Sequence, residues 1–135
     1  MKKYKMDLNQ LEQNIISKKT FLCLGLDTDI HKIPKHLLNS QDPVFDFNKS
    51  LVDRLSSKIV AVKINTAFYE SRGKDGWSSL EKSIDYIKIN HPDLFTISDA
   101  KRADIGNTAA MYAKAFFEKM HFDSITLSPY MGQDS

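Results

Sequence analysis

The sequence contains a single cysteine, Cys23 within FLCLGL, so no disulfide framework can form within the chain. The apolar residues around it predict a small buried thiol, and the scarcity of cysteine fits a reducing compartment. Long apolar runs are also missing. None approaches the roughly 18 residues needed to cross a bilayer, and the lysine-rich start (Lys2, Lys3 and Lys5) lacks the apolar stretch of a signal peptide. That start is expected to be solvated and frayed. Charge of one sign is not in excess: 19 Lys and Arg against 17 Asp and Glu leave a net charge of +2, too little to argue for a nucleic-acid partner. Glycine is sparse, and no glycine-rich phosphate cradle follows any apolar run, since LGLDTD holds one glycine. His31, His36, His91 and His121 have no metal-ligand spacing and are expected at the surface, in loops or helix ends. These absences point to a cytoplasmic protein with no membrane or nucleic-acid partner.

What is present is a hydrophobic fraction of 41% and a charged fraction of 27%, the balance of one soluble globular domain. Four short runs suit strands buried on both faces: FLCLGLD (21–27), KIVAVKIN (58–65), LFTISDAK (94–101) and DSITLSPY (123–130). Helical stripes lie between them. Leu8, Leu11, Ile15 and Ile16 follow Asp7 as a cap, and Pro43 opens a helix carrying Val44, Phe47, Leu51 and Leu55. Trp77, Leu80, Ile84 and Ile87 mark a third helix ending before Pro92, with Trp77 in the core, and Ala109, Ala113, Phe116, Phe117 and Met120 mark a fourth. SRGKDGW (71–77), with two glycines, reads as a loop.

Strand and helix alternate after the first helix, which predicts an α/β fold of parallel βα units. A doubly wound sheet and a (β/α)₈ barrel both satisfy the pattern. The missing phosphate cradle favours the barrel, which typically needs about 250 residues, so four units are half of one.

Ligands of such folds bind at the carboxyl ends of the strands. Those ends carry Asp27, then Lys63 and Asn65, then Asp99, Lys101 and Asp104, then Ser128. Residues two apart share a face of a strand, so Lys63 joins Asn65 and Asp99 joins Lys101. Plain salt bridges, Asp99 with Lys101 or Asp104 with Lys63, could fill a polar barrel mouth. Burying several charges is expensive, however, unless they are well paired. A lysine flanked by carboxylates is held protonated, which suits a proton donor and not a Schiff-base nucleophile. A fixed ammonium also stabilises a developing carbanion. Together these suit decarboxylation followed by protonation.

FLCLGLDTD, VAVKINTAFYES, SDAKRADIGNTAAMYAKAFFE and DSITLSPYMGQDS together resemble the orotidine 5′-phosphate decarboxylase family, in the form with the longer AFYE segment after strand two. The resemblance runs through nearly the whole chain in order. It implies a barrel of which residues 1–135 are the amino-terminal portion, conversion of orotidine 5′-phosphate to UMP without metal or cofactor, and a homodimer with shared active sites. By this likeness Lys101 would protonate the C6 carbanion, Asp99 would face the departing carboxylate, and Lys63 would complete the charge network while contacting the ribose. Asp27 would bind the ribose, and Asn65 would lie near the substrate. Asp104 and Thr108 would reach the neighbouring subunit's site, with Ile105 lining it. Ser128 would stand at the edge, either structural or in contact with substrate. Tyr69 and Glu70 are expected only to pack after strand two.

Ala103 replaces a glycine common in the longer form, which adds a methyl to a tight turn. Strands five to eight, with the groups that grip the phosphate, are not in this sequence, so the chain is expected to bind nucleotide poorly and to leave open sheet edges. Two other readings remain. One is an inactive half-barrel fragment. The other is a magnesium-dependent lyase like 3-hexulose-6-phosphate synthase, although Lys63 stands where that enzyme needs a carboxylate.

Overall fold

A computed structural model describes residues 5–133. Four parallel strands lie in the order β1-β2-β3-β4: β1 (Cys23–Gly25), β2 (Ala61–Asn65), β3 (Phe95–Arg102) and β4 (Ser124–Leu127). Each strand pairs with the next in sequence and the order never reverses, as in the wall of a barrel; a doubly wound sheet reverses at its switch point. The helices are α1 (Leu8–Lys18), α2 (Pro43–Leu55), α3 (Ala67–Glu70), α4 (Gly73–Asn90) and α5 (Gly106–Ala113), the last continued by π winding over Lys114–Lys119. Among the described residues no helix is long and apolar enough to cross a membrane.

Local chemistry accounts for several boundaries. Asp7 and Gln10 form a reciprocal capping box at α1, and Asp42 caps α2 just before Pro43. The strand period then sorts side chains onto two faces. Val62 and Ile64 point into the main core with Val44, Val52, Leu80, Ile84 and Ile87 from the helices. The opposite face carries Ala61 and Phe95 at the amino ends of β2 and β3, where α1 covers them with Leu11 and Ile15. On that face α1 closes the bottom of the sheet and leaves its carboxyl-end half, with Lys63 and Asp99, uncovered.

A buried ionic clamp fastens the amino-terminal end of the sheet. Asp123, just before β4, accepts from Lys88 Nζ of α4 at 2.5 Å, from the Thr96 amide and hydroxyl of β3 at 2.8 Å each, and from the Met6 amide at 2.7 Å. Burial pulls Lys88 below the ordinary lysine value despite that partner.

Several expectations need correction. The outer strands are not buried on both faces: Cys23 is exposed, as are Phe21, Leu22 and Leu127, because β1 and β4 are the edges of the described sheet. Partial burial still raises the Cys23 thiol, so it stays protonated near neutrality. Leu8 and Ile16 face outward, and neither Ala109 nor Ala113 is buried. Residues 71–77 are not a loop throughout, since α4 begins at Gly73, whose φ is +60°. Gly76 is no helix breaker either: a Cβ there would lie 1.8 Å from the Tyr69 carbonyl oxygen, so its absence lets α4 fold back onto α3. Lys2 and Lys3 lie outside the described residues. Lys5 is not merely solvated, its ammonium standing 4.7 Å from the centre of the Phe117 ring. His31 and His36 are exposed as expected, but His91 is half-buried and bonded to Asp53 at 2.9 Å.

Candidate active site

The carboxyl ends of three adjacent strands bring four charges into one line. Lys63 Nζ lies 3.1 Å from Asp27 Oδ1 and 3.1 Å from Asp99 Oδ2, and Lys101 Nζ lies 2.6 Å from Asp99 Oδ1. The signs alternate: Asp27, Lys63, Asp99, Lys101. Exposure is lowest at Asp99 and highest at Lys101. The Asp99 side chain is 12% exposed and the Lys101 side chain 65%, so Asp99 is the shielded hub and the Lys101 ammonium the end open to a ligand.

The protonation states follow. The Lys101 ammonium, then Lys63 and the Thr126 hydroxyl, hold Asp99 down at about 2 against the opposing effect of burial. Burial would lower Lys63, but its hydrogen bonds to Asp27 and Asp99 outweigh that and raise it. Because the folded pKa of Asp99 is depressed from 3.8, the stability it contributes is whole above about pH 4 and fades as pH falls toward 2. A carboxyl ¹³C titration should find the Asp99 midpoint near 2. A midpoint near 3.8 would mean that the line of ion pairs does not persist in solution.

Lys101 has a left-handed backbone, φ +48°, which costs a residue with a side chain about 1–2 kcal/mol. The sheet is irregular at the same place. Between the pairs Ser98–Ile125 and Arg102–Leu127, β3 advances four residues while β4 advances two. Across this bulge Thr126 Oγ1 accepts from the Lys101 amide at 3.0 Å and donates to Asp99 Oδ1 at 3.0 Å. On the far side of the strand, Arg102 pairs with Glu70 of α3 and lies over the Tyr112 and Phe116 rings. Glu70 therefore does more than pack.

The remaining site candidates are near the line but outside it. Asn65 Oδ1 accepts from the Ala67 amide at 3.1 Å. Ser128 Oγ reaches the Lys101 carbonyl at 3.4 Å, a long contact, and its amide donates to the Arg102 carbonyl at 3.1 Å. Asp104 pairs with neither lysine: its carboxylate takes the amide of Ile105 at 2.8 Å, at the turn into α5. The lysine set between two carboxylates is thus Lys63, and Lys101 has Asp99 alone. Ile105 is exposed and Thr108 half-buried in the first turn of α5, and neither touches the charges.

Sequence reasoning also missed a buried polar network beneath Asp27. The Tyr69 hydroxyl donates to the Leu26 carbonyl at 2.8 Å and accepts from Asn48 Nδ2 at 2.9 Å, while Thr28 donates to Asn48 Oδ1 at 2.6 Å. Residues on both sides of Asp27 are therefore fastened to α2 and α3. Burial pushes the Tyr69 hydroxyl up to about 12, so it remains a neutral donor. Tyr69→Phe should cost about 1–3 kcal/mol in urea unfolding, because the Leu26 carbonyl loses its buried donor. A cost near zero would show that the network does not hold this segment.

Four parallel βα units in unreversed order, with a lysine–carboxylate line at the strand ends, define the α/β-barrel class of proteins. The family model described as Orotidine 5'-phosphate decarboxylase / HUMPS family matches residues 20–135, and the chain belongs to that family. An orotidine 5'-phosphate decarboxylase of Flavobacterium johnsoniae is 58% identical over 130 residues, covering 96% of this chain and 48% of that protein. The Leishmania donovani UMP synthase structure superposes with a TM-score of 0.79 at 30% identity, covering 97% of this chain and 26% of that one. The OMP decarboxylase of the same organism gives 0.74 at 31% identity, covering 94% of this chain and 46% of that one. The chain spans about half the length of the curated relatives it matches.

Proposed function

We propose that this chain carries the amino-terminal part of an orotidine 5′-phosphate decarboxylase site within a single barrel domain, converting orotidine 5′-phosphate to UMP in a cytoplasmic homodimer. The observation that carries the reading is the alternating line Asp27–Lys63–Asp99–Lys101, whose more exposed end is an ammonium.

In this reading the bond from pyrimidine C6 to its carboxylate breaks, CO₂ leaves, and the electron pair stays on C6. Asp99, ionised at any physiological pH, faces the departing carboxylate. Crowding there disfavours the bound anion, while the fixed Lys101 ammonium stabilises the forming carbanion and then passes a proton to it. Solvent restores that proton. Lys63 and Asp27 hold the ribose, and Lys63 fixes the second oxygen of Asp99. Asp104, Ile105 and Thr108 stand clear of the charges at the start of α5, a place suited to serving the partner subunit's site.

Lys63 also argues against the magnesium-dependent alternative, since its ammonium fills the space between the two carboxylates that a cation would need. The test is loss of the substrate's ultraviolet absorbance with and without a chelator, beside a UMP titration. Turnover untouched by the chelator supports the reading, and a magnesium requirement overturns it. UMP alone is expected to bind this chain weakly, because the phosphate-gripping groups belong to strands outside its four units. UMP binding without turnover would make the chain a binding-competent but inactive fragment.

A further inference from the structure

The decarboxylase reading makes the separation of Asp99 and Lys101 decisive, and on that reading we infer that Thr126 is the positioning residue that sets it. Its single hydroxyl touches both partners, accepting from the Lys101 backbone amide at 3.0 Å and donating to Asp99 Oδ1 at 3.0 Å.

A hydroxyl has one proton to give, and both neighbours dictate its direction. An amide can only donate and an ionised carboxylate can only accept, so the Thr126 proton points at Asp99. The same Oδ1 receives the Lys101 ammonium at 2.6 Å, so one carboxylate oxygen gathers the side chain of Lys101 and the hydroxyl that holds its backbone.

The bulge makes this brace necessary. Where β3 runs two residues ahead of β4, the Lys101 amide finds its partner in a β4 side chain instead of a β4 carbonyl. Backbone pairing resumes only at the Arg102 carbonyl, which accepts from Ser128. The Oγ of Ser128, the residue just past the end of β4, approaches the Lys101 carbonyl at 3.4 Å, so this one segment reaches the peptide units on both sides of the left-handed residue. Without the Thr126 hydroxyl the Lys101 amide has no partner, and the strained φ of +48° loses its support.

Thr126→Val keeps the shape and removes the hydroxyl, while Thr126→Ser keeps the hydroxyl. Two readouts need no turnover: hydrogen exchange of the Lys101 amide and the ¹³C titration of Asp99. In Thr126→Val the Lys101 amide should exchange at least about tenfold faster and the Asp99 midpoint should rise, with Thr126→Ser close to the parent protein in both. On the reaction, Thr126→Val should lower kcat about 10- to 100-fold with KM changed less than about threefold, and Thr126→Ser should restore it. A Thr126→Val protein with unchanged exchange and midpoint overturns the inference. So does rapid exchange of the Lys101 amide in the unsubstituted chain, a measurement that stands even if the variant fails to fold. If both spectroscopic shifts appear but orotidine 5′-phosphate is still not turned over once strands five to eight are restored, the brace holds and the proposed reaction is what fails.

Discussion

Lys101→Ala is expected to lower orotidine 5′-phosphate turnover by at least about 10³-fold, the loss typical when both a proton donor and a fixed charge leave the reacting centre. The Lys101 ammonium is the most exposed charge of the line, and among the described residues Asp99 alone pairs with it. The substitution also removes the strongest influence on Asp99, whose midpoint should climb from about 2, held partly down by Lys63 and Thr126. A Lys101→Ala protein that retains turnover within about tenfold would remove Lys101 from the chemistry. A second variant separates backbone from side chain. At an ordinary strand position glycine is less stable than alanine by roughly 0.5–1 kcal/mol. The left-handed φ of +48° reverses that order here, so Lys101→Gly should unfold at higher urea than Lys101→Ala although both are inactive.

Asp123→Asn should cost about 3–5 kcal/mol, a large part of the stability of a small domain. The shape is conserved, but the Lys88 ammonium, 4% exposed, is left buried without a countercharge, and asparagine cannot accept as strongly from Thr96 and Met6. Adding Lys88→Met should recover most of the loss, because a buried pair costs far more to break than to replace as a whole. The surface carboxylate Asp53 is the contrast. Burial would raise its carboxyl, but Lys49, Tyr86 and His91 hold it at about 2; it is solvent-exposed, so Asp53→Asn should change stability by less than about 1 kcal/mol. Equal effects at the two positions in urea unfolding would contradict the burial argument.

The parallel βα order was legible in the sequence because apolar runs and helical stripes are properties of consecutive residues. The charges at the strand ends are legible for the same reason: period two puts Lys63 on one face with Asn65, and Asn65 is the register partner of Asp99, so the Lys63 ammonium reaches Asp99 diagonally. The bulge was not. Lys101 was assigned to the face of Asp99 by alternation, but it gets there through a positive φ, which depends on a hydroxyl 25 residues away in β4. Spacing suggests Asp104 beside a lysine because it does not reveal which way the chain turns after a strand. Tyr69 looks like mere packing in the sequence, since the partners that make it polar, Asn48 and Leu26, come from other units. Gly76 looked like a loop residue because a glycine used for close approach and one used for a turn are the same letter.

Asp27, Lys63 and Asp99 stand 36 residues apart in succession, one βα unit each, so the two ion pairs of Lys63 join three adjoining strands. A slip of one residue between parallel strands exchanges the two faces of the slipped strand. For β2 that would drive Lys63 toward the side occupied by Val62 and Ile64 and bring an aliphatic residue between the two carboxylates. Misregistered sheets are thereby penalised by several kcal/mol for the stranded ammonium, in addition to any loss of apolar packing. The charges proposed to break the carbon–carbon bond thus also serve as the key that tells each strand where to pair.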